Sequence, residues 1–164
     1  VKNNISKCSY VEFYFCSKLI KLPNLPNCTF LYCSNCPLLK EFPNLPNCEK
    51  LICSSCPLLK KLPNLPNCKM LVCFFCYLLE ELPDLPNCTY LNCYFCNLLE
   101  ELPNLLNCVS LCCNSVEKLK KLPKLDGDEG IKSLKIIIAM LKSAKEGREV
   151  FLKEISNEDN IYYY

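Results

Sequence analysis

One twenty-residue phrase, LPNLPNCTFLYCSNCPLLKE from Leu22 to Glu41, constrains this chain more than anything else in it. Further copies begin at Phe42, Leu62, Leu82 and Leu102. A worn earlier copy aligns over Lys2 to Lys21, where Ile5, Cys8, Val11, Cys16 and Leu19 fall in matching columns. A repeat of that length is one supersecondary unit that cannot bury its apolar face alone, so consecutive copies stack into a solenoid. The reading divides the chain into a solenoid of about six rungs over 1–125 and a C-terminal helical cap and tail over 126–164.

Inside the repeat, alternation along a short strand puts Leu31 and Cys33 on one face and Phe30, Tyr32 and Ser34 on the other. The first face is the inward one. In parallel strands about 4.8 Å apart each inward residue lies on its counterpart one rung away, which predicts a spine of Leu31, Leu51, Leu71, Leu91 and Leu111. Pro23 and Pro26 fix φ, lack a donor and hold the residues before them extended, which predicts a return segment without helix. Asn27, Asn47, Asn67, Asn87 and Asn107 form a column just before the strand, where Asn side chains satisfy backbone groups in turns.

The pattern C-x-x-L-x-C-x-x-C-x-L, carried by Cys28, Leu31, Cys33, Cys36 and Leu38, resembles a leucine-rich repeat with Cys in three of its columns. The phrase LPNLP resembles the short, twenty-residue class of bacterial type III effectors, although here it sits one residue closer to the strand. The Cys-for-Leu usage and the NC pair are similar to repeat proteins of giant viruses of amoebae. The resemblance implies a leucine-rich-repeat solenoid with a parallel β-sheet on the concave face, an extended proline-rich convex face and a C-terminal α-helical cap. It also implies a viral or effector-like protein that works by binding other proteins in the cytoplasm, a host cell's included.

Seventeen cysteines include the C-x-x-C pairs Cys33/Cys36, Cys53/Cys56, Cys73/Cys76 and Cys93/Cys96. Paired C-x-x-C units supply four soft ligands for zinc, and stacked rungs bring Cα atoms within reach of a disulfide. The reading that explains more treats Cys as a small apolar core residue. Every cysteine except Cys112 falls in a column the solenoid needs inward, and Val116 and Phe13 stand in for Cys elsewhere. Cys112, outward by alternation, is the expected exposed thiol.

Charge and composition exclude several classes. With 19 basic and 17 acidic residues the net charge is +2 and no basic face dominates, so no nucleic-acid partner is expected. The longest apolar run, Ile136 to Leu141, is far short of a membrane span. Val1 to Lys21 has no secretory-signal pattern, which leads to the expectation of a soluble intracellular protein. The chain has no histidine, the usual general base and metal ligand, and no Gly-rich phosphate loop. No enzyme, no catalytic residue, no cofactor and no metal site are expected.

After the acidic turn DGDEG at Asp126 to Gly130, Ile131, Leu134, Ile137, Ile138 and Leu141 recur at helical spacing. That predicts a helix that caps the last rung, or that recruits a second protein as an adaptor. The outward strand positions carry the functional reading: Tyr10, Tyr14, Phe30, Tyr32, Met70, Phe74, Tyr90 and Tyr94 form an unusually apolar face. Solenoids bind with such surfaces, and aromatics and Met are enriched at interfaces. The expected partner is an unidentified protein, held by a monomer or weak oligomer. A zinc-loaded cysteine ladder is the alternative.

Overall fold

The computed structural model describes residues 5–108 and 110–112. A short 3-10 helix, Ile5–Lys7, precedes six strands: β1 Tyr10–Tyr14, β2 Phe30–Ser34, β3 Lys50–Ile52, β4 Met70–Val72, β5 Tyr90–Asn92 and β6 Ser110–Cys112. They form one parallel sheet in sequence order. Each strand pairs with the equivalent residues of the next repeat, so Leu31, Leu51, Leu71, Leu91 and Leu111 run across the sheet as one line. The chain is a parallel β-solenoid with one strand per twenty-residue rung, as the period predicts. No described residue from Leu22 onward is helical. The helical cap expected over 126–164 lies outside the described residues.

The strands are short because the backbone turns sharply at a fixed place. Phe15, Asn35, Ser55, Phe75 and Phe95 have φ of 53, 56, 55, 58 and 57°. This left-handed conformation ends the extended run and carries the chain back inward, so that Cys36, Cys56, Cys76 and Cys96 re-enter the core at 0% exposure. A tight turn follows, closed by the Leu39 amide on the Cys36 carbonyl at 3.1 Å, and repeated at Leu59, Leu79 and Leu99.

That turn corrects one expectation. The leucine-rich-repeat pattern ends on Leu38, which that motif would place inward, yet Leu38 is 43% exposed while Leu39 is 0% exposed. The turn closes at the third residue after Cys36, and it is Leu39 that it brings into the core. The strand columns are where alternation puts them: Leu31, Leu51, Leu71 and Leu91 are buried, as is the column begun by Cys33, and outside the strands the columns begun by Cys28 and Leu25 are buried as well. The core is a stack of leucine and cysteine ladders running the length of the described solenoid.

Two further departures concern exposure. Cys8, read as a core column residue, is exposed, and Cys16 is half-buried. They belong to the rung of β1, which among the described strands pairs with β2 alone. Ser34 and Ser54, expected on the outer face, are 3% and 2% exposed. Both hydroxyls are buried without a hydrogen-bond partner, an arrangement that costs desolvation free energy with no bond in return.

The proline-rich return carries no regular structure. Its prolines contribute carbonyls only, and the asparagine column uses them. Asn47 Nδ2 donates to the Pro26 carbonyl at 2.8 Å, Asn67 to Pro46 and Asn87 to Pro66 at 2.9 Å, and Asn107 to Pro86 at 2.8 Å. The expected role of Asn in turn chemistry holds, but the bond reaches the preceding rung and not the residue's own turn.

Candidate binding surface

The outer face of the sheet presents the even-numbered strand positions. On it, Tyr10 and Tyr14 are exposed, while Phe30, Tyr32, Met70, Phe74, Tyr90 and Tyr94 are half-buried. The structure divides these eight residues between two ends of the sheet. At the first end Tyr10 meets Phe30 edge-on with ring centroids 5.0 Å apart, and Tyr14 meets Tyr32 at 5.7 Å. Lys50 Nζ lies 5.9 Å from the Phe30 ring centroid, within cation–π range. The Tyr10 phenol donates to the Glu12 carboxylate at 3.1 Å, and that bond to an anion raises its pKa above the usual value.

At the other end Met70 pairs with Tyr90 across β4 and β5. Beside them stands a cluster of five rings, of which alternation identifies only Phe74 and Tyr94. Phe75 lies against Phe74 at 5.5 Å, Tyr77 at 6.0 Å and Tyr94 at 6.2 Å, and it stacks on Phe95 at 5.1 Å with an interplanar angle of 14°. Tyr94 and Phe95 are 4.1 Å apart. Between the two ends lies β3, whose outer residues Lys50 and Ile52 pair with Phe30 and Tyr32 on one side and with Met70 and Val72 on the other.

Phe15, Phe75, Phe95 and Tyr77 belong to these clusters and were missed by the strand pattern. Strict alternation points Phe75 inward; the left-handed backbone at that position points it elsewhere. The signal that could have found Phe15, Phe75 and Phe95 is the doublet, with Tyr14-Phe15, Phe74-Phe75 and Tyr94-Phe95 at matching repeat positions.

A second, polar surface runs beside the strand starts. Asn27, Asn47, Asn67, Asn87, Asn107, Thr29, Thr89, Glu49 and Lys69 line a groove of about 840 Å³. Its side chains are largely engaged with one another or with the backbone. Thr29 and Thr89 hydroxyls donate to the Ser9 and Lys69 carbonyls at 3.1 and 3.0 Å, and Lys69 pairs with Glu49 at 2.9 Å.

The thiols are core groups. Cys56, Cys76 and Cys96 donate to the carbonyls of Cys33, Cys53 and Cys73 in the preceding rung at 3.5, 3.1 and 3.0 Å. Cys33 Sγ and Cys36 Sγ are 3.8 Å apart. Burial pushes the Cys48 and Cys68 thiols up to about 11 and about 12. The Cys53 and Cys73 thiols are raised further, first by hydrogen bonds to Cys76 and Cys96 and then by desolvation. Among the described residues no cysteine forms a disulfide. Among the described residues no group of three or more His, Cys, Asp or Glu is placed to hold a metal ion, and no helix is long and apolar enough to cross a membrane.

No protein-family model, curated protein or solved structure matches this chain. The class defined by the fold is therefore the parallel β-solenoid with a short repeat.

Proposed function

We propose that the chain is a non-catalytic protein-binding module of the short leucine-rich-repeat kind, which holds a partner protein against the outer face of its sheet inside the cell. One observation carries the reading. The core columns hardly vary from rung to rung, whereas the outer positions vary freely and collect aromatics and Met at the two ends of the sheet. A surface maintained on a constant scaffold and enriched in Tyr, Phe and Met is the composition of a recognition face. Packing between neighbouring strands engages these rings, Tyr10 on Phe30 and Tyr14 on Tyr32 among them, yet Tyr10 and Tyr14 stay 54% and 49% exposed and keep surface for a partner.

The test is affinity capture from the native cellular context with mass spectrometry, comparing the natural chain with Phe74→Ser/Tyr94→Ser. Neither residue belongs to the buried spine. Truncating central aromatic anchors costs on the order of 2 kcal/mol or more in affinity, so specific partners should be lost while the melting temperature moves little. Partners recovered equally well by both chains would place binding elsewhere.

A further inference from the structure

From the third rung to the fourth, charge and aromatic character change together. Between Met70 and Cys112 every charged side chain is acidic: Glu80, Glu81, Asp84, Glu100 and Glu101. The corresponding positions one rung earlier are Lys60 and Lys61. The same two rungs that turn acidic also replace Asn35 and Ser55 with Phe75 and Phe95. These phenylalanines occupy left-handed backbone, which penalises residues with a bulky side chain and tolerates Asn best. Strain kept at a surface position, where a cheaper residue serves in neighbouring rungs, points to use of the side chain.

The chemistry next to those rings is specific. Phe75 and Phe95 are stacked, Tyr77 beside them is 46% exposed, and Leu78 is 36% exposed. Glu80 and Glu81 follow Phe75 within the same rung, so the chain can separate rings from carboxylates by no more than about 20 Å, the span of about six extended residues. The Glu80 carboxylate meets Lys60 at 3.6 Å, but both side chains are more than half exposed and such a pair is easily exchanged. Ring faces attract cations, most strongly planar guanidinium groups, and carboxylates pair with the same groups in bidentate fashion. Acidic side chains at this edge disfavour phosphate-bearing ligands.

We infer that the edge formed by Phe75, Tyr77, Phe95, Glu80 and Glu81 binds an arginine-rich peptide segment, guanidinium groups stacking on the rings and pairing with the carboxylates. This rests on the protein-binding reading and names the chemistry of the partner at one end of that face.

The experiment uses the full chain and three fluorescein-labelled synthetic peptides, in which arginine, lysine or glutamate alternates with serine, followed by fluorescence anisotropy. The arginine peptide binds best, the lysine peptide several-fold more weakly, and the glutamate peptide not at all. Phe75→Asn/Phe95→Ser installs the residues that the second and third rungs carry there, so it keeps the fold. It lowers arginine-peptide affinity by roughly tenfold or more. Tyr77→Ser, a change at an exposed position, lowers it in the same direction, and Glu80→Lys/Glu81→Lys removes it. The inference is overturned if no peptide binds, if the lysine and arginine peptides bind equally, or if the aromatic variants bind as well as the natural chain. It is also overturned if sedimentation shows that the edge is covered by a second copy of the chain. Cellular partners that depend on Phe74 and Tyr94, found together with a failure of the arginine peptide, would sink this inference and leave the protein-binding reading standing.

Discussion

The side-chain amide of Asn67 donates to the carbonyl oxygen of Pro46, 2.9 Å away in the preceding rung. Proline offers no N–H, so its carbonyl is the one backbone group it can lend to rung stacking, and Asn supplies the donor. The bond is solvent-exposed, so Asn67→Ala should cost only about 1 kcal/mol. Asn67→Asp should cost more at neutral pH, because a carboxylate then faces a carbonyl oxygen. Below about pH 4 the protonated acid regains a donor and the gap between the two variants should close. Urea unfolding of both variants at the two pH values checks this.

Ser55 holds φ of 55° with a residue that has no special tolerance for it. Asn35 shows that the same position accepts Asn. Ser55→Asn should therefore be neutral or stabilise by up to about 1 kcal/mol, while Ser55→Val, a β-branched residue, should destabilise by roughly 1 to 2 kcal/mol. Melting temperatures that rise for the valine variant would mean that the backbone at Ser55 is not held left-handed.

The period and the alternation made the sheet legible in the sequence. Leu31, Leu51, Leu71 and Leu91 are buried in register because a parallel ladder with one strand per repeat leaves them no other place. What the pattern could not give was the path after the strand. Alternation stops being informative once a residue adopts positive φ, and no glycine marked the spot: Phe, Asn and Ser occupy it. From that one blind position follow the inward turn of Leu39 in place of Leu38 and the missed cluster of Phe75 and Phe95. The eight aromatic and Met residues expected on the outer face fall into two groups, with Lys50 and Ile52 of β3 in register between them. Burial of the Ser34 and Ser54 hydroxyls had no sequence signal, since serine on an outer strand position ordinarily meets water.

Thiol behaviour follows from burial and can be read in two ways. Cys8 is exposed and Cys16 and Cys112 are half-buried, whereas the other described cysteines are buried. Alkylation of the native chain should label Cys8 first and Cys16 and Cys112 next, with the buried columns reacting only on unfolding. Stability should also fall in alkali. Cys48 and Cys68 titrate in the folded chain at about 11 and about 12, above the ordinary value of 9.0 that applies once they unfold. Between those limits the unfolded chain has already released protons that the folded chain still holds, so unfolding becomes more favourable as pH rises. Their contribution is fully present below about pH 9 and lost as pH climbs through 11 to 12. Urea midpoints that stay flat from pH 8 to pH 11 would contradict buried thiols.

The last prediction separates the two leucines that the turn after Cys76 treats differently. Leu79 is 0% exposed and its amide closes the turn on the Cys76 carbonyl at 3.0 Å, while Leu78 beside it is 36% exposed. Leu79→Ala removes a fully buried side chain between ladders that repeat above and below it, so the cavity has little freedom to collapse and the cost should be about 2 to 5 kcal/mol. Leu71→Ala in the spine, also 0% exposed, should cost the same amount. Leu78→Ala leaves the core intact and should cost below about 1 kcal/mol. Chemical denaturation of the three variants gives the answer directly. If Leu78→Ala proved the most damaging, the chain would follow the spacing of Cys76-x-Leu78 and the left-handed turn at Phe75 would have to be wrong. If Leu79→Ala and Leu71→Ala match, the turn delivers Leu79 to the core as completely as the strand delivers Leu71.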